Sequence, residues 1–264
     1  MALANTFPGL EAFALTRKPR WSMLVTLLIG ASLAGSGCAA ERGASSASSS
    51  ADTPSVGTSI TVSSSVGAGP PVDFIADVWV DNWFSLTVNG QAVGEDVEPI
   101  TQERSFNSQT LEFTATYPLT LAVVSKDYME NASGLEYIGQ SQQQIGDGGL
   151  IMQVREKASG RVVAVTSPEW RGLVIQRAPL NPDCVASSKP LVDCQSSTLV
   201  EPPEWTSPEF DDSQWPTATV YTAEQVGVKQ GYEAISWDGS ASLIWGPDLN
   251  VDNTILWRFS ILRS

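Results

Sequence analysis

The segment from Pro70 to Ser264 predicts an all-β fold, an antiparallel β-sandwich. Three observations lead there. Apolar residues recur in short alternating runs, turn residues divide the runs at frequent intervals, and no window of a dozen residues carries the 3.6-residue spacing of an amphipathic helix. Phe84-Ser-Leu-Thr-Val88 alternates and ends in Asn89-Gly90, a strong hairpin-turn pair. Leu111-Glu-Phe-Thr-Ala-Thr-Tyr117 alternates in the same way. After Pro118, Leu119-Thr-Leu-Ala-Val-Val124 is almost continuously apolar, the pattern of a strand buried on both faces. Leu150–Arg155 and Arg161–Thr166 flank the loop Lys157-Ala-Ser-Gly160 and predict a hairpin. Leu173–Gln176, Ala241–Trp245 and Thr254–Ile261 complete the series.

Upstream of this domain the chain reads as an address. Arg17, Lys18 and Arg20 precede the apolar run Met23–Ala34, and small residues follow it, which is the layout of a secretory signal over residues 1–37. The run has 12 residues, whereas a bilayer-spanning helix needs about 20. Gly35-Ser36-Gly37-Cys38 resembles the lipobox of bacterial lipoproteins, with Gly35 where that box usually has Leu. The resemblance implies lipidation at Cys38 and a place in the cell envelope, on the outer membrane or cell surface. An ordinary cleaved signal that leaves Cys38 as a free thiol is the alternative. Residues 38–70, rich in Ser, Ala and Gly, predict a flexible tether, because so few large apolar groups cannot offset the entropy of ordering. Val56–Val66 alternates enough to be an edge strand instead. The folded domain is expected over residues 71–264.

Composition removes whole classes of function. The chain of 264 residues has no His, which excludes an imidazole base, a His-containing nucleophilic triad and His-ligated metals. Lys and Arg number 15 against 29 Asp and Glu, a formal charge of −14. Loss of residues 1–37 takes away three basic groups and Glu11, leaving 12 against 28 and a charge of −16. Nucleic acid is thereby excluded as a partner, since that binding runs on cationic side chains displacing counterions. Attachment to anionic lipid through a basic patch is excluded for the same reason, so the membrane is expected to be met through the lipid alone. Cys184 and Cys194 lie in a Pro- and Ser-rich loop and are expected to pair in an oxidising compartment once Cys38 is acylated. Two sulfurs without His make no metal site, and no cofactor is expected.

Four segments, in order, resemble the galactose-binding-domain-like jelly roll found as accessory domains in α-L-rhamnosidases and β-galactosidase-type glycosidases. They are Asp81-Asn-Trp-Phe-Ser-Leu-Thr-Val-Asn-Gly90; Gly160–Trp170; Phe210-Asp-Asp-Ser-Gln-Trp215; and Ala241–Trp245 with Leu256-Trp-Arg-Phe259. Ser167 replaces an Asp of the pattern, and the Cys184–Cys194 loop reads as an insertion. The resemblance implies a non-catalytic module that binds carbohydrate. In these families catalysis lies in a separate domain, and no such domain is expected after Ser264. The motifs also have plain structural roles. Asp211 and Asp212 suit a capped turn, Trp215 a fold-back onto the core, and Trp79, Trp170, Trp245 and Trp257 core packing. Calcium on Asp211 and Asp212 is disfavoured, because that ion wants six to eight oxygens.

Two places carry the residue types that a sugar needs, an aromatic face beside hydrogen-bonding acids and amides. One is Asp81-Asn82-Trp83. The other is the loop from Asp127 through Glu136 and Tyr137 to Asp147, whose Asn131-Ala-Ser133 sequon is without meaning in a bacterium. Either place can instead be packing and solvated loop. The expected partner is carbohydrate; the alternative is an envelope protein met by a structural or assembly module, and a carboxylate-dependent glycosidase ranks behind both.

Overall fold

A computed structural model describes residues 69–97 and 107–262. The signal at 1–37, Cys38, nearly all of the 38–70 tether and the alternative strand at Val56–Val66 lie outside the described residues. Within them the fold is an antiparallel β-sandwich. One sheet runs in the order β12 (Thr219–Tyr221), β13 (Leu243–Trp245), β8 (Gly149–Glu156), β1 (Val72–Asp81), β4 (Asn107–Ala115), with β9 (Val162–Val165) also on β8. The second runs β11 (Ser197–Thr198), β10 (Arg171–Arg177), β14 (Asp252–Ile261), β5 (Leu119–Lys126), β2 (Trp83–Val88), β3 (Gln91–Glu95). A small pair, β6 (Leu135–Glu136) and β7 (Gln144–Ile145), stands apart. Among the described residues no helix is long and apolar enough to cross a membrane.

Strand alternation builds the core. Phe74, Val78 and Val80 of β1 face Phe84 and Leu86 of β2, with Leu121, Val123, Met152, Ile255 and Trp257 completing the layer between the sheets. Both sheets are also covered on their outer faces, which explains why β5 reads as a near-continuous apolar run. Trp79, Ile151 and Leu243 pack under the segment carrying helix α2 (Ala223–Val226), through Val226 and Tyr232. Ala122 and Leu256 pack under the segment from Trp205 to Trp215. The Trp215 side chain therefore folds onto the outside of the second sheet rather than into the space between the sheets. Asp211 accepts from the Ser213 N–H at 3.0 Å, as a turn cap does, while Asp212 takes a different role and binds the guanidinium of Arg258 at 2.8 Å.

Asn89 also does more than turn the chain. Its φ of 50° and the 75° of Gly90 make the tight turn between β2 and β3. Its side chain reaches across to donate to the carbonyls of Thr116 and Pro118 and to accept from the Thr120 N–H at 2.7 Å. The four tryptophans expected in the core are buried, each indole N–H satisfied: Trp79 by the Gln230 carbonyl, Trp170 by Val165, Trp245 by Asp252 and Trp257 by Ser125 Oγ.

Cys184 and Cys194 form a disulfide across ten residues, closing a loop with one short 3-10 turn and helix α1 (Pro190–Asp193). Asn181 stitches the same loop, donating to the Asp193 carbonyl and accepting from the Gln195 N–H. Replacing both cysteines by Ser is expected to cost about 2–3 kcal/mol, the closure entropy of a loop this size. Urea titration checks it: the midpoint should fall, and the slope should hold or steepen slightly as the unfolded chain is freed.

Candidate functional site

The two candidate places meet at one end of the sandwich. β1 ends at Asp81, directly across from Gly149 at the start of β8, and the chain crosses to the second sheet through Asn82. Trp83 then pairs with Lys126, the last residue of β5, which leaves Asp127 at the same level. Buried amides hold this crossing. Asn82 donates its backbone N–H to the Lys126 carbonyl and accepts the Tyr128 N–H on Oδ1 at 2.5 Å. Asn253, at the start of β14, accepts the Ala178 N–H and donates from Nδ2 to Asp127 Oδ2 at 3.2 Å.

Around these amides lies a group of acids. Asp81 is 1% exposed and Asp127 2% exposed, and Glu136 on β6 is also buried, accepting from Gln144 Nε2 at 2.8 Å. Asp147 is half-exposed on the loop that leads into β8. That loop is drawn in tightly: a Cβ on Gly146 would stand 2.4 Å from Asp127 Oδ2, so only glycine fits. Tyr137 follows Glu136 with φ of 52°, a left-handed backbone that turns the loop sharply. Lys229 brings the one cation identified in the group, its Nζ 3.8 Å from Asp81 Oδ2 and 3.9 Å from Asp147 Oδ1.

Burial first, then repulsion from Asp147 and Glu136, pushes the Asp81 carboxyl well above its ordinary value, with Lys229 pulling the other way. Burial likewise pushes Asp127 well up, joined by Asp81, Glu136 and Asp147 and opposed by the hydrogen bond from Asn253. Asp81 Oδ2 and Asp127 Oδ1 accept no hydrogen bond from the protein. Among the described residues no three His, Cys, Asp or Glu side chains stand gathered around one metal position.

Trp83 looks elsewhere. The period of two along a strand sends Phe84 into the core and turns Trp83 to the outer face of the second sheet. There it is half-buried and walls a cleft of about 300 Å³ with Lys126, Met129, Gln176, Glu201 and Thr254. Lys126 Nζ sits 4.7 Å from the indole centroid, a cation–π contact that fixes the ring. The Asp81-Asn82-Trp83 triplet is thus split between a buried acid group and an open cleft. Glu136 and Asp147 join the acid group with Asp81, and Tyr137 borders it in sequence.

Sequence reasoning missed several participants. Lys126 lies just past the predicted strand Leu119–Val124 and just before the candidate loop that opens at Asp127, and that position was the available signal. Gln176, Glu201, Lys229 and Asn253 arrive from distant segments and carry no local signature. Comparison of the chain with protein-family models, with curated proteins and with solved structures finds no match. The class that the geometry defines is a β-sandwich with an open aromatic cleft on one sheet and a buried acid cluster at the adjoining strand ends.

Proposed function

We propose that the protein is an exported, lipid-anchored, non-catalytic binding module of jelly-roll type that recognises carbohydrate in the Trp83 cleft. The observation that carries this reading is the half-buried indole at the wall of a 300 Å³ cleft, with an ammonium, an amide, a carboxylate and a hydroxyl beside it. An aromatic surface suits the C–H face of a sugar ring, and the four polar groups suit its hydroxyls. The resemblance of the Asp81–Gly90 and Phe210–Trp215 segments to carbohydrate-binding accessory modules supports the same conclusion, as does the absence of His. Acylation of Cys38 holds the module at the envelope.

A glycan array followed by calorimetry tests the proposal. At least one glycan class should bind, and Trp83→Ala should weaken it about 30-fold or more, the loss typical of a central aromatic contact, while the chain keeps a cooperative melt well above the assay temperature. No affinity across a broad array, or full affinity in Trp83→Ala, sinks the carbohydrate reading. Turnover of aryl glycosides that Asp127→Asn abolishes sinks the non-catalytic one. A Cys38→Ser chain that still fractionates with membranes refutes the anchor.

A second reading has its own observation. Leu191, Val192 and Val200, on and just beyond the disulfide loop, are 63%, 79% and 92% exposed, which suits a module that docks on another envelope protein. A partner that co-purifies from detergent-solubilised membranes with the wild type, and is lost in Val192→Asp, favours that reading.

A further inference from the structure

We infer that the lateral seam of the sandwich binds a small carboxylate with an apolar body, seated on Trp245 and Trp257 and held at its head by Arg177. A cleft of about 310 Å³ opens there, between β10 of one sheet and the end of β13 of the other. Its floor is the core itself. Val174, Ile255, Trp245 and Trp257 all pack in the layer between the sheets, and each also lines the cleft. Gly172 and Gly246 line it too and add no side chain to fill it. A Cβ would stand 2.4 Å from the Trp257 ring at the first position and 2.3 Å from Asp252 Oδ2 at the second. Pro216 closes the end beside Gly172, whose N–H its carbonyl accepts at 2.8 Å. Leu199 and Pro247 stand exposed at the rim.

The lining selects the ligand. The indole N–H of Trp245 goes to the Asp252 carbonyl and that of Trp257 to Ser125 Oγ, so the floor keeps apolar ring surface and no free indole donor. Such a floor suits a hydrocarbon body and gives the hydroxyls of a sugar nothing to bond. The volume is about twice the roughly 150 Å³ that holds a benzene ring in an apolar protein cavity, which sets the size of the body. Arg177 supplies the polar contact. It gives its Nε to Asp252 Oδ1 at 2.7 Å, and no acceptor among the described residues takes its terminal nitrogens. Asp252 itself is fully engaged, since its Oδ2 accepts the Asp248 N–H at 3.0 Å. A buried acid thus fixes a half-exposed guanidinium whose outer fork fits a carboxylate. The chain is acidic overall, but charge beyond about 8 Å is screened at physiological salt, so the guanidinium in contact decides. The seam lies on the inner side of β10 and β14 and the Trp83 cleft on their outer face, so the two sites stand independently.

The test uses the full chain with its indole nitrogens isotope-labelled for NMR, and hydrocinnamate as the first probe in a panel of aryl- and branched-alkyl carboxylates. Titration should move the indole N–H signals of Trp245 and Trp257 saturably and leave that of Trp83 in place. The neutral amide of the same body should bind about tenfold more weakly, the difference that a charge-assisted hydrogen bond makes. Arg177→Gln should weaken the acid about tenfold and erase the preference for acid over amide. Val174→Phe should fill the cleft and abolish binding of both, while Trp83→Ala should change neither. No saturable shift at Trp245 and Trp257 across the panel overturns the site, as does equal affinity for acid and amide, or binding that Val174→Phe leaves intact. Should a variant fail to fold, the acid-to-amide comparison and the tryptophan signals of the wild type decide.

Discussion

Arg258→Met is expected to lower unfolding free energy by about 2–4 kcal/mol, because a partly buried carboxylate and two backbone carbonyls lose their donor at once. Arg258 is 1% exposed on the outer face of β14, covered by the segment from Trp205 to Trp215. Its Nε donates to Asp212 Oδ2 at 2.8 Å, and its two terminal nitrogens donate to the carbonyls of Trp205 and Phe210. The guanidinium also lies 5.3 Å from the Phe210 ring centroid. Methionine fills much of the same volume but donates nothing, so a carboxylate and two carbonyls lose their partner together. The covering segment then keeps its apolar contacts, Trp205 and Trp215 against Ala122 and Leu256, and the bond from Arg171 to the Trp215 carbonyl, but loses its anchor to β14. Urea unfolding measures the loss, and tryptophan emission should shift to the red as Trp205 and Trp215 reach water. Asp212→Asn should cost less than half as much, because the two carbonyl bonds survive. Equal effects in the two variants would place the stabilisation in the ion pair alone.

Asp127→Asn is expected to do the opposite, raising stability near pH 7.5 by about 1–3 kcal/mol. The amide keeps the shape of the carboxyl and can still accept from Asn253, while its NH₂ turns a lone acceptor into a donor beside Asp81. The direction with pH follows from the raised native value of this carboxyl. The folded protein holds the proton more tightly than the unfolded chain does. The stabilisation this gives is complete below the ordinary value of 3.8 and is lost as pH climbs through the native value. Wild type and variant should therefore melt together near pH 3 and separate as pH rises. A variant that is less stable at every pH would show the carboxylate to be an ordinary structural acceptor.

Much of the fold was legible because it rests on local chemistry. Leu119–Val124 is almost continuously apolar because the second sheet is covered on both faces, and the Asn89-Gly90 pair occupies the left-handed turn that its residue types favour. The first strand was harder to read, since Val72–Asp81 mixes acids into an apolar run. Asp77 explains the mixture: it lies among Thr110, Gln153 and Arg155, which come from three other positions in the first sheet. Burial pushes its carboxyl up, but the hydrogen bonds from Gln153, Thr110 and Arg155 outweigh burial and hold it below the ordinary value.

By itself the sequence determined the class of fold, the disulfide between Cys184 and Cys194, and the mechanisms that a chain without His cannot run. These depend on strand periodicity, turn chemistry and residue type, which act over a few positions or over the whole composition. Tertiary structure alone decided what the acids do. Asp81, Asp127, Glu136 and Asp147 are scattered through 67 positions of an acidic chain, where each passes for a solvated side chain. Only the crossing from one sheet to the other buries two of them together, and only the period of two along β2 turns Trp83 away from its neighbours Asp81 and Asn82 onto the open face. Adjacency in the chain placed these residues at one end of the sandwich; the geometry of the strand separated them into two sites.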